Sequence, residues 1–222
     1  MKNIAIITAM ECEYNAIYSL YNFKGDNSKS YTQIYDKNIC LIKSGIGKVN
    51  ASIATLSAIE NGADVVITTG LAGGIDASLS QGDIVLADKI AYHDVYCGEP
   101  NQKGQVQDLP LYYELSSEIL KSNIKEINNG YFKLGLALTG DQFVTDEKQL
   151  LQIKSDFPQG LAVDMESAAI AQVCHIFQKD CISLRIISDV VGKENQKEQY
   201  KSFWDNIPTK SAEMVDVILK NI

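Results

Sequence analysis

The sequence predicts an α/β protein: a three-layer α/β/α sandwich with a mixed central sheet, formed by 222 residues. Apolar segments rich in β-branched residues alternate with segments of helical spacing, which is the pattern of a sheet with helices packed on it. Several predicted strands are apolar throughout, and such strands lie in sheets covered on both faces. No repeat and no linker rich in proline, glycine or serine divides the chain, so residues 1–222 are predicted to form a single domain.

The first half of the chain is predicted to contain four strands and one helix. The strands are apolar runs over residues 3–8, 38–43, 64–69 and 84–92. The third strand is predicted to end in a turn formed by the glycine-rich residues 70–74. The helix covers residues 47–60, because apolar residues recur there at helical spacing and Gly62 follows as a stop signal. The apolar residues on one face of this helix are Val49, Ile53, Leu56 and Ile59.

The second half alternates further strands with helices. The predicted strands cover residues 131–139, 161–163 and 181–187. The predicted helices cover residues 112–127, 146–157, 165–177 and 209–222. Pro158 ends the second of these helices, and Asp164 is the predicted N-cap residue of the third.

Polar residues concentrate where the predicted strands end. Ligands of open α/β sheets bind outside the carboxyl ends of the strands, so the functional site is expected at these residues. They are Glu11, Glu13, Ser44, Thr68, Thr69, Asp141, Asp164, Glu166, Ser188 and Asp189.

The chain is acidic, with a formal net charge of −8 at pH 7 and a pI of about 4.8. Such a chain is poorly suited to bind a phosphate backbone or an anionic membrane through bulk charge, so nucleic acids and membranes are not expected as partners. The apolar N-terminal run is short and meets Glu11 and Glu13, unlike a signal peptide, and no segment approaches the ~18 apolar residues of a membrane span. The sequence therefore predicts a soluble, cytoplasmic protein whose partner is a small molecule.

The five cysteines are odd in number and irregularly spaced, without a CxxC motif, so they are predicted to be reduced thiols. They are Cys12, Cys40, Cys97, Cys174 and Cys181. No set of metal ligands is apparent, and the predicted site requires neither a metal nor a cofactor.

Two glycine-rich segments have both a structural and a functional interpretation. Residues 44–48 (SGIGK) precede a helix, as a phosphate-binding turn does, but the dinucleotide pattern GxGxxG fails because its third glycine falls on Asn50. A tight turn is therefore favoured there. Residues 70–74 contain three glycines after a buried strand, and at this stage a plain turn and a ligand-binding loop remain equally good interpretations.

Charged residues beside apolar segments are the other candidates. Glu166 opens a helix, where an acid also complements the helix dipole, so its role stays open on this segment alone. Arg185 interrupts an apolar strand, and a buried arginine needs an acidic or ligand partner; Asp189 follows at the strand end. Core or turn roles are predicted for the pairs His93-Asp94 and Cys174-His175.

Eight short segments, in this order and spacing, together resemble the nucleoside phosphorylase/nucleosidase family. They are AMECE at 9–13, SGIGKV at 44–49, TGLAGG at 69–74, GDIV at 82–85, YHD at 92–94, TGDQF at 139–143, VDME at 163–166 and RIISD at 185–189. Within this family the chain resembles the methylthioadenosine/S-adenosylhomocysteine nucleosidases over roughly residues 3–220.

The resemblance implies an enzyme that hydrolyses the N-glycosidic bond of an adenine nucleoside. It implies that Glu13 activates the attacking water and that Asp189 protonates the departing adenine. Phe143 matches the ring that stacks on adenine, and Tyr200 the aromatic residue that covers the ribose. The full set of implied substrate contacts is Met10, Ala72, Gly73, Phe143, Val144, Met165, Glu166, Arg185, Ser188 and Tyr200.

The choice of nucleophile separates a nucleosidase from a phosphorylase. A phosphate dianion needs arginines and hydroxyl groups, whereas this chain has little arginine and only Arg185 near the motifs. Leu71 stands where the resembled phosphorylases have a serine, and Glu13 would repel phosphate. Water is therefore the predicted nucleophile. The alternatives are a phosphate-dependent phosphorylase of the same fold and a nucleoside-binding protein without activity.

The resemblance also implies a homodimer, in which a loop near residues 95–107 reaches the 5′ pocket of the neighbouring subunit. This loop differs from the form more usual in the family, and Asp164 stands where glutamate is more usual. The sequence therefore leaves open which 5′-substituents are accepted, among methylthioadenosine, S-adenosylhomocysteine, 5′-deoxyadenosine and aminodeoxyfutalosine.

Overall fold

The computed structural model describes residues 2–20, 32–36, 38–114, 132–192, 196–203 and 207–220. The strands in these ranges are β1 (Ile4–Thr8), β2 (Thr32–Asp36), β3 (Ile39–Lys43), β4 (Val65–Gly74), β5 (Ile84–Tyr92), β6 (Tyr113–Glu114), β7 (Lys133–Thr139), β8 (Gly160–Asp164) and β9 (Asp180–Val190). The helices are α1 (Glu11–Leu20), α2 (Lys48–Glu60), α3 (Glu147–Asp156), α4 (Ser167–Ile176), α5 (Gln196–Phe203) and α6 (Ile207–Leu219).

The described strands form one mixed sheet, ordered β2-β3-β1-β4-β8-β7-β5-β6, with β9 paired to both β4 and β5. Strand β4 runs parallel to β1 and β9, and β7 runs parallel to β5 and β8. The pairs β4–β8 and β5–β9 are antiparallel. Because β4, β9, β5, β7 and β8 are paired in a closed ring, this part of the sheet curves back on itself.

Helices cover both faces of the sheet, as the sequence predicts. Alternate residues of β1 belong to different cores: Ile4 and Ile6 pack with α1 and α6, whereas Ala5 and Ile7 pack with α2 and α4. This alternation follows from the two-residue period of a strand. A mixed sheet between two helical layers confirms the predicted fold class. In the described ranges, each helix is too short or too polar to span a membrane.

The glycine-rich residues 70–74 are not the predicted turn, because β4 continues through them to Gly74. They keep their pairing with β9, from Gly70 beside Arg185 to Gly74 beside Val190, with a register shift after Ala72. The prediction of a turn is wrong because a run of glycines allows a turn but does not require one. Here the missing side chains let neighbouring groups approach an extended strand.

Other predicted boundaries shift by a few residues. Strand β9 extends to Val190, so Ser188 and Asp189 lie within it. Helix α4 begins at Ser167 with Glu166 in the N-cap position, so the assignment of Asp164 as the N-cap is wrong. The Asp164 carboxylate nevertheless accepts hydrogen bonds from the backbone N–H groups of Glu166 and Ser167.

The helix predicted for residues 112–127 is wrong at its start, because Tyr113 and Glu114 pair with β5 as strand β6. Residues 115–127 of that prediction lie outside the described residues. The helix predicted for 146–157 is confirmed as α3, and the Asp146 side chain accepts a hydrogen bond from the backbone N–H of Lys148. The predicted C-terminal helix is present as α6.

Helix α2 is confirmed, but three residues of its predicted apolar face point away from the sheet, and only Ile59 packs against the core. Its buried residues are Ala51, Ala54, Thr55 and Ala58, which are small enough for close packing on the sheet and α4. Val49, Ile53 and Leu56 are 70%, 56% and 37% exposed in the single chain. The helical period therefore shows which residues share a face, and in α2 the face with the smallest side chains is the buried one.

Candidate active site

A cavity lies where β1, β4, β8 and β9 end, and most of the sequence-predicted site residues line it. Those lining residues are Met10, Glu13, Ala72, Gly73, Phe143, Val144, Met165, Glu166, Ser188, Asp189 and Tyr200. Arg185 does not line the cavity and lies buried beneath it. The lining residues that the sequence did not single out as contacts are Ala9, Ile46, Leu71, Gln142, Val163 and Asp164.

Glu13 lies in the first turn of α1, and its carboxylate is turned back to the start of that helix. One oxygen, Oε2, accepts hydrogen bonds from the backbone N–H groups of Ala9 and Met10 at 3.1 and 3.0 Å. The other, Oε1, accepts one from Leu71 N–H at 3.0 Å. A glutamate in the third helical position commonly reaches back in this way. Burial raises the pKa of Glu13, against the lowering effect of these N–H groups and of Arg185.

Gly70 allows this arrangement to form. A Cβ atom at residue 70 would lie 2.6 Å from Glu13 Oε1 and 2.9 Å from Arg185 Nη1. Both distances are shorter than van der Waals contact, so any side chain there would displace the carboxylate or the guanidinium. The glycine-rich segment thus serves the site by letting two charged groups approach β4.

Arg185 is buried and is held by a carboxylate and by hydroxyl groups. Its Nε donates to Asp164 Oδ2 at 2.7 Å and to Ser167 Oγ at 3.0 Å, and its Nη2 donates to Thr68 Oγ1 at 3.1 Å. Its Nη2 also lies 4.0 Å from Glu166 Oε2. The predicted acidic partner of this arginine is therefore Asp164, and the guanidinium places a positive charge beside both Glu13 and Glu166.

Glu166 lies between β8 and α4, and it is buried. Its Oε1 accepts a hydrogen bond from Gly47 N–H at 3.0 Å, a bond provided by the turn that precedes α2. Gly45 and Gly47 have φ angles of +87° and +96°, which glycine adopts readily, and this confirms the tight turn predicted at residues 44–48. Burial raises the pKa of Glu166 to about 7, although Arg185 lowers it. Glu166 can therefore exchange a proton near neutral pH.

Asp189, in β9, is the third carboxylic acid side chain of this set that lines the cavity. Its Oδ1 accepts a hydrogen bond from Ser188 Oγ at 2.5 Å, and its Oδ2 accepts one from Gln196 Nε2 at 2.7 Å. Burial raises the pKa of Asp189, whereas these two donors lower it. A carboxyl group with a raised pKa is suited to deliver a proton, which is the property required of a general acid.

Aromatic side chains flank the mouth of the cavity. Phe143 is half exposed, and its ring meets the Tyr200 ring edge to face, with the centroids 5.0 Å apart. Val144 is buried next to Phe143, and its carbonyl accepts a hydrogen bond from Gln196. A planar ligand can stack on an exposed ring, so these residues form a binding place for a flat, aromatic group.

The remaining sequence candidates lie outside the cavity. His93 is buried beside Gly140, and Asp94 accepts hydrogen bonds from Lys48 Nζ and from Asp141 N–H. Cys174 is buried in the core between α4 and the sheet. None of these residues lines the cavity, which agrees with the structural roles predicted for them.

The mixed sheet with helices on both faces, together with an acidic cavity at the strand ends, defines the class of protein. Residues 3–220 match the model of the Phosphorylase superfamily, and the chain belongs to that superfamily. Within it, the chain belongs to the 5′-methylthioadenosine/S-adenosylhomocysteine nucleosidases, as the following similarities show.

The chain is 37% identical to the 5′-methylthioadenosine/S-adenosylhomocysteine nucleosidase of Aeromonas salmonicida, over 96% of each chain. It is also similar to the structure of such a nucleosidase from Neisseria meningitidis in complex with methylthio-immucillin-A, with a TM-score of 0.90, 33% identity and complete coverage of both chains. A nucleosidase from Colwellia psychrerythraea in complex with adenine has a TM-score of 0.87 and 31% identity, covering 99% of this chain and 95% of that one.

Proposed function

We propose that the protein hydrolyses the N-glycosidic bond of 5′-methylthioadenosine and of S-adenosylhomocysteine, releasing adenine and the 5-substituted ribose. The observation that carries the proposal is the convergence of Glu13, Glu166 and Asp189 on one cavity. These carboxyl groups come from three separate elements, and the rings of Phe143 and Tyr200 stand beside them. Acidic groups around a flat binding place suit a purine riboside whose sugar becomes positively charged during reaction.

In the proposed reaction, Asp189 acts on the base. The bond between the sugar C1′ and adenine N9 breaks, and its electron pair passes into the purine ring. Asp189 gives its proton to N7, so that adenine leaves as a neutral molecule. The raised pKa of Asp189 keeps this proton available at higher pH than an exposed aspartate would.

On the other side of the sugar, Glu13 acts on water. The water oxygen bonds to C1′ while Glu13 takes a proton from it, so that ribose gains a hydroxyl group. Glu166 binds the ribose hydroxyls in this proposal, and in its ionised form it stabilises the developing positive charge. The carboxylate of Glu13 keeps a fixed direction because three backbone N–H groups bind it.

A phosphate-dependent reaction is disfavoured by the charges around the cavity. Arg185 is the only arginine in the sequence, and it is already bound to Asp164. Leu71 presents an aliphatic side chain where phosphate would need a donor, and Glu13 would repel a dianion. Water, which is neutral and can both donate and accept hydrogen bonds, suits this environment better.

We expect adenine release from methylthioadenosine and S-adenosylhomocysteine in phosphate-free buffer, with a rate that added phosphate does not increase. The measurement is chromatography of the products, with 5′-deoxyadenosine and aminodeoxyfutalosine assayed in parallel to define the tolerated 5′-groups. A phosphate requirement, with formation of a ribose 1-phosphate, would show a phosphorylase instead. Tight nucleoside binding without turnover would show a binding protein.

We further propose that two copies of the chain associate through the exposed apolar face of α2. Ile46 is 52% exposed and lines the cavity, and Val49, Ile53 and Leu56 continue the apolar surface along the helix. No residue of the loop 95–107 lines the cavity of its own chain, although Tyr96 in this loop is 59% exposed. A neighbouring copy whose loop 95–107 reaches this cavity would complete the 5′ pocket.

Ile53→Glu is expected to weaken this dimer by at least about 30-fold, since it replaces a buried aliphatic contact worth ~2 kcal/mol with a charge. Analytical ultracentrifugation over a dilution series measures the effect, and the KM for methylthioadenosine should rise where monomers dominate. Leu151→Glu is the control, because Leu151 is also aliphatic and 61% exposed but belongs to a different helix, α3. An unchanged dimer in Ile53→Glu would place the interface elsewhere.

A further inference from the structure

Helix α5 is attached to the end of β9 by side-chain amides of glutamine residues. Gln81 Nε2 donates to the carbonyl oxygens of Ser188 at 2.9 Å and of Gln199 at 2.8 Å. Gln199 Oε1 accepts a hydrogen bond from Val190 N–H at 3.1 Å. These bonds join the strand that carries Asp189 to the helix that carries Tyr200.

Gln196, the first residue of α5, makes contacts of a different kind. It is 5% exposed, and its Nε2 donates to Asp189 Oδ2 at 2.7 Å and to the Val144 carbonyl oxygen at 2.9 Å. Its Oε1 accepts a hydrogen bond from Gly192 N–H at 3.2 Å. Both N–H groups and the amide oxygen therefore have partners, which leaves this buried side chain little freedom to rotate.

We propose that Gln196 is a positioning residue that holds the Asp189 carboxyl group and the Val144 carbonyl at a fixed separation for the edge of the purine base. The inference rests on the proposed function, in which Asp189 meets N7. A purine with N7 at Asp189 directs its 6-substituent along the same edge, where a backbone carbonyl accepts from a 6-amino group and repels a 6-oxo group. By spacing the two contacts, Gln196 sets both the direction of proton transfer and the preference for adenine.

The position of Gln196 distinguishes the positioning role from one in which its side chain blocks the base. Its amide nitrogen binds the same two groups that the base is proposed to meet, so in principle it could block the base. Gln196 does not line the cavity, however, whereas Asp189 and Val144 do. The side chain therefore supports both contacts from outside the cavity lining, and each acceptor oxygen has a second lone pair for the ligand.

The hydrogen bond from Gln196 also affects the strength of the acid. Burial raises the pKa of Asp189, while donation from Ser188 and Gln196 lowers it, since both donors stabilise the charged form. The other titratable groups facing this cavity are Tyr200 from α5, Glu13 from α1, Asp164 from the end of β8 and Glu166 from the start of α4. Removing the amide donor changes none of them directly.

The test compares Gln196→Glu and Gln196→Met with the parent protein, using pH profiles of kcat/KM for adenine release. Gln196→Glu keeps the shape and the acceptor for Gly192 N–H but cannot donate to Asp189 when ionised, and Gln196→Met removes all polar contacts. Because activity needs protonated Asp189, losing a donor should move the alkaline limb upward by about one pH unit. We expect kcat to fall by roughly 10- to 100-fold through misplacement of the acid. Discrimination between adenosine and inosine should also weaken.

Gln199→Met is the matched control: it removes a glutamine from the same helix, next to the same strand, without changing a contact of Asp189. Its alkaline limb should match that of the parent. An unmoved limb in a folded Gln196→Glu or Gln196→Met protein would overturn the positioning role. A lower KM with unchanged kcat would overturn it in favour of a blocking role. Failure of the proposed function itself is distinguishable, because the parent protein would then release no adenine.

Discussion

Asp189→Asn is expected to reduce kcat for adenine release by about 10²- to 10⁴-fold, the usual effect of removing a proton-transfer group. Asparagine keeps the size of the side chain and can still bond to Ser188 and Gln196, but it has no acidic proton to give to N7. Adenine would then have to leave as an anion or take its proton from solvent. The loss is therefore expected in kcat, with a smaller effect on nucleoside binding.

The effect can be assigned to leaving-group protonation by changing the leaving group. A riboside that releases 4-nitrophenolate needs little protonation, so Asp189→Asn should retain most of the parent's rate with it. Asp156→Asn is the matched control, because Asp156 lies at the end of α3 and does not line the cavity. Equal losses on the adenine and nitrophenyl substrates would contradict the role of Asp189 as the acid.

The pH dependence of the parent protein follows from the same carboxyl group. In the proposed reaction Asp189 acts in its protonated form, so kcat/KM should fall as pH rises through its pKa. Burial raises that pKa, which places the falling limb at higher pH than an ordinary aspartate would. In Asp189→Asn the residual activity should lack this limb.

The layers and most elements of this fold follow from the sequence because apolar periodicity is a local property. The strand β5 and the helix α3 begin and end close to the predicted residues, since apolar runs and a proline mark their limits. The ends of the predicted strands also indicated where the site lies, because β1, β4 and β9 run parallel and their carboxyl ends lie at the same edge of the sheet. The convergence of Glu13 and Asp189 on one cavity could thus be predicted before the structure was known.

The features that could not be predicted depend on partners distant in sequence. Three glycines in residues 70–74 predicted a turn, whereas the strand continues there because β9 pairs with it and Glu13 and Arg185 occupy the space above Gly70. The apolar periodicity of α2 predicted a helix, but it did not show which face of the helix packs on the sheet. Gln196 lies in a polar segment without a motif, and only the approach of α5 to β9 shows its contact with Asp189.

Glu13→Gln is expected to reduce kcat for adenine release by about 10²- to 10⁴-fold, because an amide cannot take a proton from the attacking water. Both carboxylate oxygens of Glu13 accept hydrogen bonds from backbone N–H groups, so the amide NH2 of a glutamine must face at least one of those donors. Leaving that contact unsatisfied costs roughly 1–3 kcal/mol, so the melting temperature should fall as well. The measurements are steady-state kinetics, thermal unfolding and nucleoside binding by calorimetry.

Glu11→Gln is the control, because it also removes a carboxylate from the first turn of α1 but at a different position. Its side chain is 68% exposed, forms an ion pair with Lys43 at 3.0 Å and does not line the cavity, so its substitution removes no group that faces the nucleoside. Glu11→Gln should therefore keep the parent's kcat. Glu13→Gln should still bind methylthioadenosine, and it should lose the rising limb of the pH profile, because the proposed reaction uses ionised Glu13, whose pKa burial raises. If Glu13→Gln folds, binds the nucleoside and turns over at the parent's rate, another group must activate the water.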